Sequence, residues 1–322
     1  LKVSAANGMA RADVGASLGR ARAIENSIAL RVHEIYYRIL IGEMRSRALQ
    51  ARIRASEDLQ TERTQQVKYG SALDADLIES RAQWLQAKQE LLTTDLQVSD
   101  LRTQLSDVIG LPLAAAVVLD PHIEAVVQES CEPEECVRLA VESHPEIAEA
   151  RAEVEKAASA VRLAKYDFVP DVDVFARYSH QNNIPFLASN FGTLGVRLSY
   201  ELFSGGRKRA TLRERDVELA QAKENLARIS DEVELRVQTA YNKLERTRQM
   251  IAVADELVSL RAEGRRMTLE QVARGSALPS QSLTSVAQEL EAKAGMLQSQ
   301  LDYLQAVAEM DDAIGRAPGY RK

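Results

Sequence analysis

The fold is decided by a tetrapeptide that occurs twice, as Gly70-Ser71-Ala72-Leu73 and as Gly275-Ser276-Ala277-Leu278. The two copies are 205 residues apart, and the same offset aligns residues 30–110 with residues 235–315 without a gap. A shared bias towards alanine and glutamate does not align glycine-centred turns, so we interpret the offset as an internal duplication. In each copy the glycine is expected to end one helix before a second helix returns, because glycine readily adopts the left-handed conformation of a helix C-terminus.

The outgoing helix of the second copy has the pattern of a coiled coil. Residues 207–274 contain no proline, and apolar or small residues recur there at alternating spacings of three and four. These residues are Val237, Ala240, Leu244, Thr247, Ile251, Ala254 and Val258. The first copy is expected to run from near residue 11 to residue 68. The sequence therefore predicts a mainly α protein with two very long antiparallel helical hairpins, whose returning arms are shorter than the outgoing ones by about twenty residues.

The composition excludes several functional classes. The 322 residues are 45% hydrophobic and 27% charged with a net charge of −6, which argues against disorder and against a general affinity for nucleic acid. No run of about 18 apolar residues is present, so no transmembrane helix is predicted. No nucleophile, phosphate-loop or dinucleotide motif occurs, so we expect no enzyme activity, no catalytic residues, no cofactor and no metal. The four histidines are scattered: His33, His122, His144 and His180.

Between the two copies, residues 168–203 change to a two-residue period. One set of alternate positions is apolar or aromatic, whereas the intervening positions carry charges, serine or glycine. The apolar set includes Val172, Val174, Tyr178, Leu194, Val196, Leu198 and Tyr200. Each run, the second from Thr193 to Phe203, has the length of a tilted strand that crosses a bilayer. Taken alone, the alternation favours a soluble antiparallel hairpin with one buried face.

The segment that follows resembles a known family. Residues 198–210, LSYELFSGGRKRA, place a Leu-Phe pair, two glycines and a basic cluster at the start of a long helix, which is similar to the TolC-like outer membrane efflux family (outer membrane factors). Residues 144–147 and 169–171 resemble that family's approach to its membrane hairpin, and the duplication resembles its internal repeat. Single motifs are weak, but their order and spacing together are fairly specific.

This resemblance implies a function in export. It implies a homotrimer whose protomers contribute strands to one transmembrane β-barrel and helices to a long barrel in the periplasm. The channel would serve a tripartite efflux or type I secretion system for small molecules or polypeptides, with a periplasmic adaptor (membrane fusion) protein and an inner-membrane pump as partners. The protein would reside in the outer membrane, with most of the chain in the periplasm. The alternative is a soluble coiled-coil scaffold or tethering protein without a transport role, which leaves the duplication unexplained.

The expected domain organisation follows the repeat. It comprises a first helical-hairpin repeat at 1–110, an irregular linker at 111–144, a helix leading to the membrane at 145–167, a β-hairpin of the barrel at 168–204, a second helical-hairpin repeat at 205–315 and a tail at 316–322. The 205-residue offset places the counterpart of the β-hairpin before residue 1. We therefore expect an N-terminally truncated sequence whose first membrane hairpin is missing.

Three acidic residues, Asp74, Asp76 and Glu79, are candidates for a periplasmic aperture. The resemblance implies acids six and nine residues after a tip glycine, where the second copy instead has Gln281 and Thr284. Acids three residues apart lie on one helix face, so symmetry-related copies would form a ring that attracts cations. The alternative is that these acids only complement the dipole of the returning helix.

Other candidates sit at the tips and near the membrane. The tip residues would contact the adaptor, or serve only as turn residues. They are Gly70, Ser71, Ala72, Leu73, Gly275, Ser276, Ala277 and Leu278. The basic residues Arg207, Lys208 and Arg209 would meet anionic groups at the leaflet surface, or form a solvated helix start.

Cys131 and Cys136 are candidates for a disulfide. The oxidising periplasm that the resemblance implies would allow them to close a short loop. A zinc site is not expected, because two thiolates without a nearby histidine supply only half of a tetrahedral ligand set.

Overall fold

The structure is a computed structural model that describes residues 1–112, 117–120, 131–180 and 190–318. Within these ranges the chain forms six helices and one two-stranded antiparallel sheet, which confirms the predicted fold class. The elements are α1 Lys2–Lys68, α2 Asp74–Val108, α3 Pro133–Ser143, α4 Pro145–Tyr166, β1 Asp171–His180, β2 Asn190–Ser199, α5 Arg207–Ala273 and α6 Pro279–Ala313. His122, part of the predicted linker and residues 181–189 of the predicted β-hairpin segment lie outside the described residues.

The two helical hairpins have the same lengths. Helices α1 and α5 contain 67 residues each, and helices α2 and α6 contain 35 residues each. Every bound of the second hairpin lies 205 residues after the corresponding bound of the first, as the duplication predicts. Two expectations were wrong. Helix α1 begins at Lys2 instead of near residue 11. The returning arms are 32 residues shorter than the outgoing ones instead of about twenty.

The tips of the two hairpins share one hydrogen-bond pattern. The Gly70 N–H donates to the Val67 carbonyl at 2.9 Å, and the Ser71 N–H donates to the Gln66 carbonyl at 2.8 Å. The corresponding two bonds at the second tip are both 2.9 Å. Gly70 and Gly275 have φ of 71° and 73°, the left-handed region in which a side chain is disfavoured. Glycine is therefore needed at both helix ends.

The chain divides into two compact units. The first, here called the hairpin unit, comprises Leu1–Arg22 and Pro145–Glu232. The second, here called the helical unit, comprises Ala23–His144 and Val233–Lys322. Helices α1 and α5 each contribute residues to both units.

In the helical unit, α1 and α6 are the central helices. Helix α1 contacts both α2 and α6, and α5 packs on α6. These contacts include Ser46–Asp95 at 2.6 Å between α1 and α2, Arg52–Glu291 at 3.9 Å between α1 and α6, and Lys243–Glu309 at 2.6 Å between α5 and α6. The predicted coiled-coil seam is buried at Val237, Ala240, Leu244 and Thr247, and it is only half-buried at Ile251, Ala254 and Val258.

In the hairpin unit, α4 packs along the first turns of α1 at three glycines. A Cβ on Gly8 would lie 3.1 Å from the Ser159 Oγ, and a Cβ on Gly19 would lie 2.9 Å from the Glu149 backbone nitrogen. Gly15 faces Ala152 in the same way. Gly8 and Gly19 therefore serve a close helix–helix approach, and Gly8 lies inside α1 although it precedes the predicted start at residue 11.

The two strands pair along their whole length. The register runs from Asp171 opposite Ser199 to His180 opposite Asn190. The second strand was predicted at Thr193–Phe203, but β2 ends at Ser199. Proline at position 170 has no N–H to donate, so pairing does not continue beyond the start of β1.

Candidate functional site

The register of the hairpin collects the predicted apolar residues on one face. Val172 lies opposite Leu198, and Val174 lies opposite Val196. The face comprises Val172, Val174, Tyr178, Leu194, Val196 and Leu198, whose side chains are 62–81% exposed. Tyr200, predicted to belong to this face, follows the end of β2 and lies outside the strand. The structure thus presents a continuous apolar surface that the described part of the chain leaves uncovered.

The opposite face of the hairpin is polar. Asp173 lies opposite Arg197, and Phe175 lies opposite Gly195. The Phe175 ring covers Gly195, because a Cβ there would lie 2.6 Å from the Phe175 Cζ. The Arg197 guanidinium stands 5.6 Å from the centre of the same ring. A sheet that is apolar on one side and charged on the other matches a lipid-facing and a water-facing surface.

Charged residues surround the end of the hairpin that joins the helices. The Lys2 ammonium contacts Asp167 at 3.1 Å and Asp171 at 2.7 Å. Glu201 pairs with Arg207 at 2.9 Å and with Lys208 at 3.7 Å. Of the predicted basic cluster, the structure therefore pairs Arg207 and Lys208 with one carboxylate, and Arg209 is exposed.

The three acidic aperture candidates all lie in the first two turns of α2 and are exposed. Asp76 accepts a hydrogen bond from the Leu73 backbone N–H at 3.1 Å. Gln281 makes the same bond to Leu278 at 3.2 Å, so this position caps the returning helix in both copies. Glu79 accepts a hydrogen bond from Gln83, and Asp74 is the first residue of α2.

The tip residues are displayed to solvent. Leu73 is 71% exposed and Leu278 is 45% exposed, and Tyr69 beside the first tip is 80% exposed. A Cβ on Gly70 or Gly275 would meet no atom within 4 Å. Both tips therefore offer accessible backbone and apolar side chains.

The two cysteines form a disulfide. Cys131 and Cys136 are bonded with a Cα–Cα distance of 5.7 Å, and Cys136 is fully buried in α3. The bond closes a short loop at the start of α3. The other end of α3 lies beside the end of α6, where the Ser143 hydroxyl shares its hydrogen between the Leu139 carbonyl at 2.7 Å and the Ile314 carbonyl at 3.0 Å.

Sequence reasoning missed a charge cluster around a buried carboxylate in the second hairpin. The Glu289 side chain is 6% exposed and lies 2.6 Å from both Arg265 of α5 and Lys293 of α6. A hydrogen bond from Lys293, followed by the positive charges of Lys293 and Arg265, lowers the pKa of Glu289. The Glu289–Lys293 spacing of four could have been read as a helical ion pair, but its burial had no sequence signal.

Two apolar stripes in the helical unit were also missed. On α2 the stripe lies opposite the buried face and comprises Ile78, Leu85, Leu92 and Leu96, which are 52–71% exposed. On α5 it comprises Met250, Val253, Leu257, Leu260 and Met267, which are 46–69% exposed. The seven-residue repeats of both stripes are visible in the sequence. The sequence alone does not distinguish them from the repeat of the buried coiled-coil seam.

No group of three or more histidine, cysteine, aspartate or glutamate side chains in the described part of the chain is arranged to hold a metal ion. None of the helices it contains combines the length and the apolar character needed to cross a membrane.

The sequence and the fold were compared with known proteins. Residues 136–316, more than half of the chain, match the family described as outer membrane efflux protein. The outer membrane protein VceC from Vibrio cholerae has a similar fold, with a TM-score of 0.80 and 16% identity over 98% of this chain and 76% of that one. No curated protein matches the chain in sequence.

Two further solved structures have a comparable similarity. The CmeC outer membrane channel of Campylobacter jejuni gives a TM-score of 0.79 and 12% identity over 100% of this chain and 69% of that one. The open state of the MtrE outer membrane channel of Neisseria gonorrhoeae gives a TM-score of 0.79 and 14% identity over 98% of this chain and 72% of that one. Identities at this level establish a shared fold alone.

Proposed function

Because this chain belongs to the outer membrane efflux protein family, we propose that it is one protomer of a trimeric outer membrane channel that exports small molecules or polypeptides. The observation that carries the proposal is the uncovered apolar face of the β1–β2 hairpin. Two strands alone are not stable, and their free edges need partners. In lipid this requirement is met by closing strands from several copies into a barrel.

The two apolar stripes support assembly into a ring. Helix α2 exposes its apolar stripe opposite its buried face. The α5 stripe flanks the buried seam, where Met250, Val253 and Leu257 line a groove beside α6. A helix that is apolar on both sides is normally buried on both sides. We infer that the α2 stripe of one copy packs on the α5 stripe of the next, a head-to-tail contact that closes when the rotation between copies is 120°.

The helical unit would lie in the periplasm. The Cys131–Cys136 disulfide is consistent with an oxidising compartment. The exposed tips around Gly70 and Gly275 would contact a periplasmic adaptor that connects the channel to an inner-membrane pump. Asp76 and Glu79 of three copies would then surround the entrance, where their carboxylates attract cations.

The experiment uses full-length protein in planar lipid bilayers. Leu194→Arg puts a charge in the middle of the apolar face and is expected to destabilise membrane insertion by about 2–4 kcal/mol, because a lipid-facing arginine is costly at this depth. Thr193→Arg is the matched control, since Thr193 comes directly before Leu194 in β2 and belongs to the polar face. We expect outer-membrane recovery and conductance to be lost with Leu194→Arg and retained with Thr193→Arg.

Two outcomes would contradict the proposal. Equal tolerance of both substitutions would show that the apolar face does not contact lipid. Recovery of the unsubstituted protein only in the soluble fraction would favour the scaffold alternative.

A further inference from the structure

The hairpin unit contains a charged cavity at the end of the hairpin that joins the helices. Its volume is about 540 Å³, within the range of ligand pockets. Its lining comes from the start of α1, the segment before β1, the end of β2 and the start of α5. Its charged residues are Lys2, Asp167, Asp171, Glu201, Arg207 and Lys208.

The charges in this cavity are balanced and separated. The three cations and three carboxylates cancel, so the cavity has no net attraction for a simple anion or cation. The two aspartates lie together around Lys2, whereas Arg207 and Lys208 lie together around Glu201. A ligand that matches this arrangement carries one negative and one positive group.

Both ends of the cavity keep hydrogen-bonding capacity. The two hydrogen bonds that Arg207 donates to Glu201 both use its Nη2 atom, so Nη1 and Nε can serve a phosphate. The Asp167 contact with Lys2 involves Oδ1, which leaves Oδ2 as an acceptor for an ammonium group. The Arg207 and Asp167 side chains are 72% and 46% exposed, so a ligand can reach both.

The surroundings of the cavity are apolar. Leu202 and Phe203 follow the lining residues Tyr200 and Glu201 and are 89% and 87% exposed. Val169 lines the cavity itself and is 45% exposed. A soluble zwitterion would leave this apolar surface exposed to water, whereas the acyl chains of a lipid would cover it.

We propose that this cavity binds the zwitterionic headgroup of a phospholipid, with its phosphate on Arg207 and Lys208 and its primary ammonium on Asp167. The inference rests on the proposed function, because it takes the adjoining hairpin to be in a bilayer. The leaflet concerned is the one nearer the helices. A primary ammonium is specified because it donates hydrogen bonds to carboxylates, which a trimethylated ammonium cannot do.

The test measures lipid binding to the full-length protein in detergent by native mass spectrometry. The probes are short-chain phosphatidylethanolamine, phosphatidylcholine and phosphatidylglycerol, together with soluble glycerophosphoethanolamine. We expect phosphatidylethanolamine to bind about tenfold more tightly than the other two lipids, the effect of one charge-assisted hydrogen bond. The soluble headgroup is expected to bind more weakly than the lipid, because it leaves Leu202 and Phe203 uncovered.

Variants separate the two halves of the site. Asp167→Asn is expected to abolish the preference for the primary ammonium, and Arg207→Gln is expected to weaken all three lipids. Arg228→Gln is the control, since it removes an exposed ion pair with Glu232 on the same helix and outside the cavity. Each preference is measured within one variant, so a general loss of stability does not obscure it.

Equal binding of the three lipids, or an unchanged preference in Asp167→Asn, would overturn the headgroup site. Tighter binding of the soluble headgroup than of the lipid would assign the cavity to a free phosphoethanolamine compound instead. These measurements need no conductance, so a failed channel assay and a failed headgroup site remain distinguishable.

Discussion

At the scale of single residues, the two repeats differ most clearly at one equivalent position near each tip. Lys88 and Lys293 are equivalent under the 205-residue offset, and each contacts the residue one turn earlier. Lys88 stands 3.9 Å from the centre of the Trp84 ring, whereas Lys293 pairs with the buried Glu289 at 2.6 Å. Trp84 also donates a hydrogen bond to Glu57 of α1. At equivalent positions, the first repeat therefore joins its two helices by the Trp84–Glu57 hydrogen bond, and the second joins them by the Arg265–Glu289 ion pair.

Glu289→Gln is expected to destabilise the protein by about 1–3 kcal/mol, because the buried Glu289 side chain loses its charge-assisted contacts with Arg265 and Lys293, whose own side chains are 43% and 50% exposed. Thermal or urea unfolding measures this change. The matched control is Glu270→Gln in α5 of the same hairpin, where an exposed carboxylate pairs with Arg266 and Arg274. The control is expected to change stability by less than about 0.5 kcal/mol.

The Glu289 contribution also depends on pH. The pKa of Glu289 in the folded protein lies below its ordinary value of 4.5. The carboxylate therefore stabilises the fold above pH 4.5, and this stabilisation is lost as the pH falls through the folded-state pKa. The stability difference between the unsubstituted protein and Glu289→Gln should shrink below pH 4.5. A difference that stays constant to lower pH would argue against the ion pair.

The combined change Asp76→Asn with Glu79→Gln is expected to weaken the block of single channels by divalent cations. Asparagine keeps an acceptor for the Leu73 N–H, so the helix cap is preserved while the charge is removed. Asp58→Asn removes an exposed charge on α1, farther from the tip, and is the control. Unchanged cation block in planar bilayers would leave these acids with capping and dipole roles only.

At the scale of elements, the helices were largely predictable and the strands less so. The Gly-centred tips located the ends of α1 and α5 because a positive φ at that position requires glycine. The start of α1 was missed because Gly8 lowers helix propensity, and its packing on Ser159 of α4 depends on a residue more than 130 positions away. The end of β2 was missed because strand length depends on the partner strand, whose pairing stops at Pro170.

The first turns of α1 should tolerate no side chain at Gly19. A Cβ there would lie 2.9 Å from the Glu149 nitrogen and 3.0 Å from the Pro145 carbonyl oxygen, both backbone atoms. Gly19→Ala is therefore expected to destabilise the hairpin unit by about 1–3 kcal/mol despite the better helix propensity of alanine. Unfolding of Ser17→Ala, an exposed position two residues earlier, supplies the comparison and should be neutral or slightly stabilising. A neutral Gly19→Ala would show that α4 does not pack closely on α1.

At the scale of the whole molecule, the candidate site is distributed over several exposed surfaces and one cavity. The apolar strand face was identified from the sequence, because a two-residue period records which residues share a face. The stripes on α2 and α5 were not, because a sequence shows that a helix has apolar residues but not which of its faces the chain itself covers. The charged cavity combines residues from four segments, and no local pattern could have predicted it.

The proposed ring is tested by a charge on the α2 stripe. Leu92→Glu is expected to convert the assembled protein into single protomers, because an unpaired carboxylate would be buried between copies. Thr93→Glu adds the same charge at the next residue, on the flank of the helix, and should leave assembly intact. Chemical cross-linking followed by gel electrophoresis distinguishes the two. Equal oligomer yields from both variants would contradict the α2–α5 contact.

The matched lengths of the two hairpins restrict how such a protein can be elongated. Helix α1 of one hairpin packs on α6 of the other, so adding a heptad to a single repeat would leave one tip about 10 Å beyond its neighbour. Insertions that change the reach of this molecule should therefore come in pairs, one in each copy and both in whole heptads. An engineer who wishes to lengthen the protein has to edit the gene at two places that are 205 codons apart.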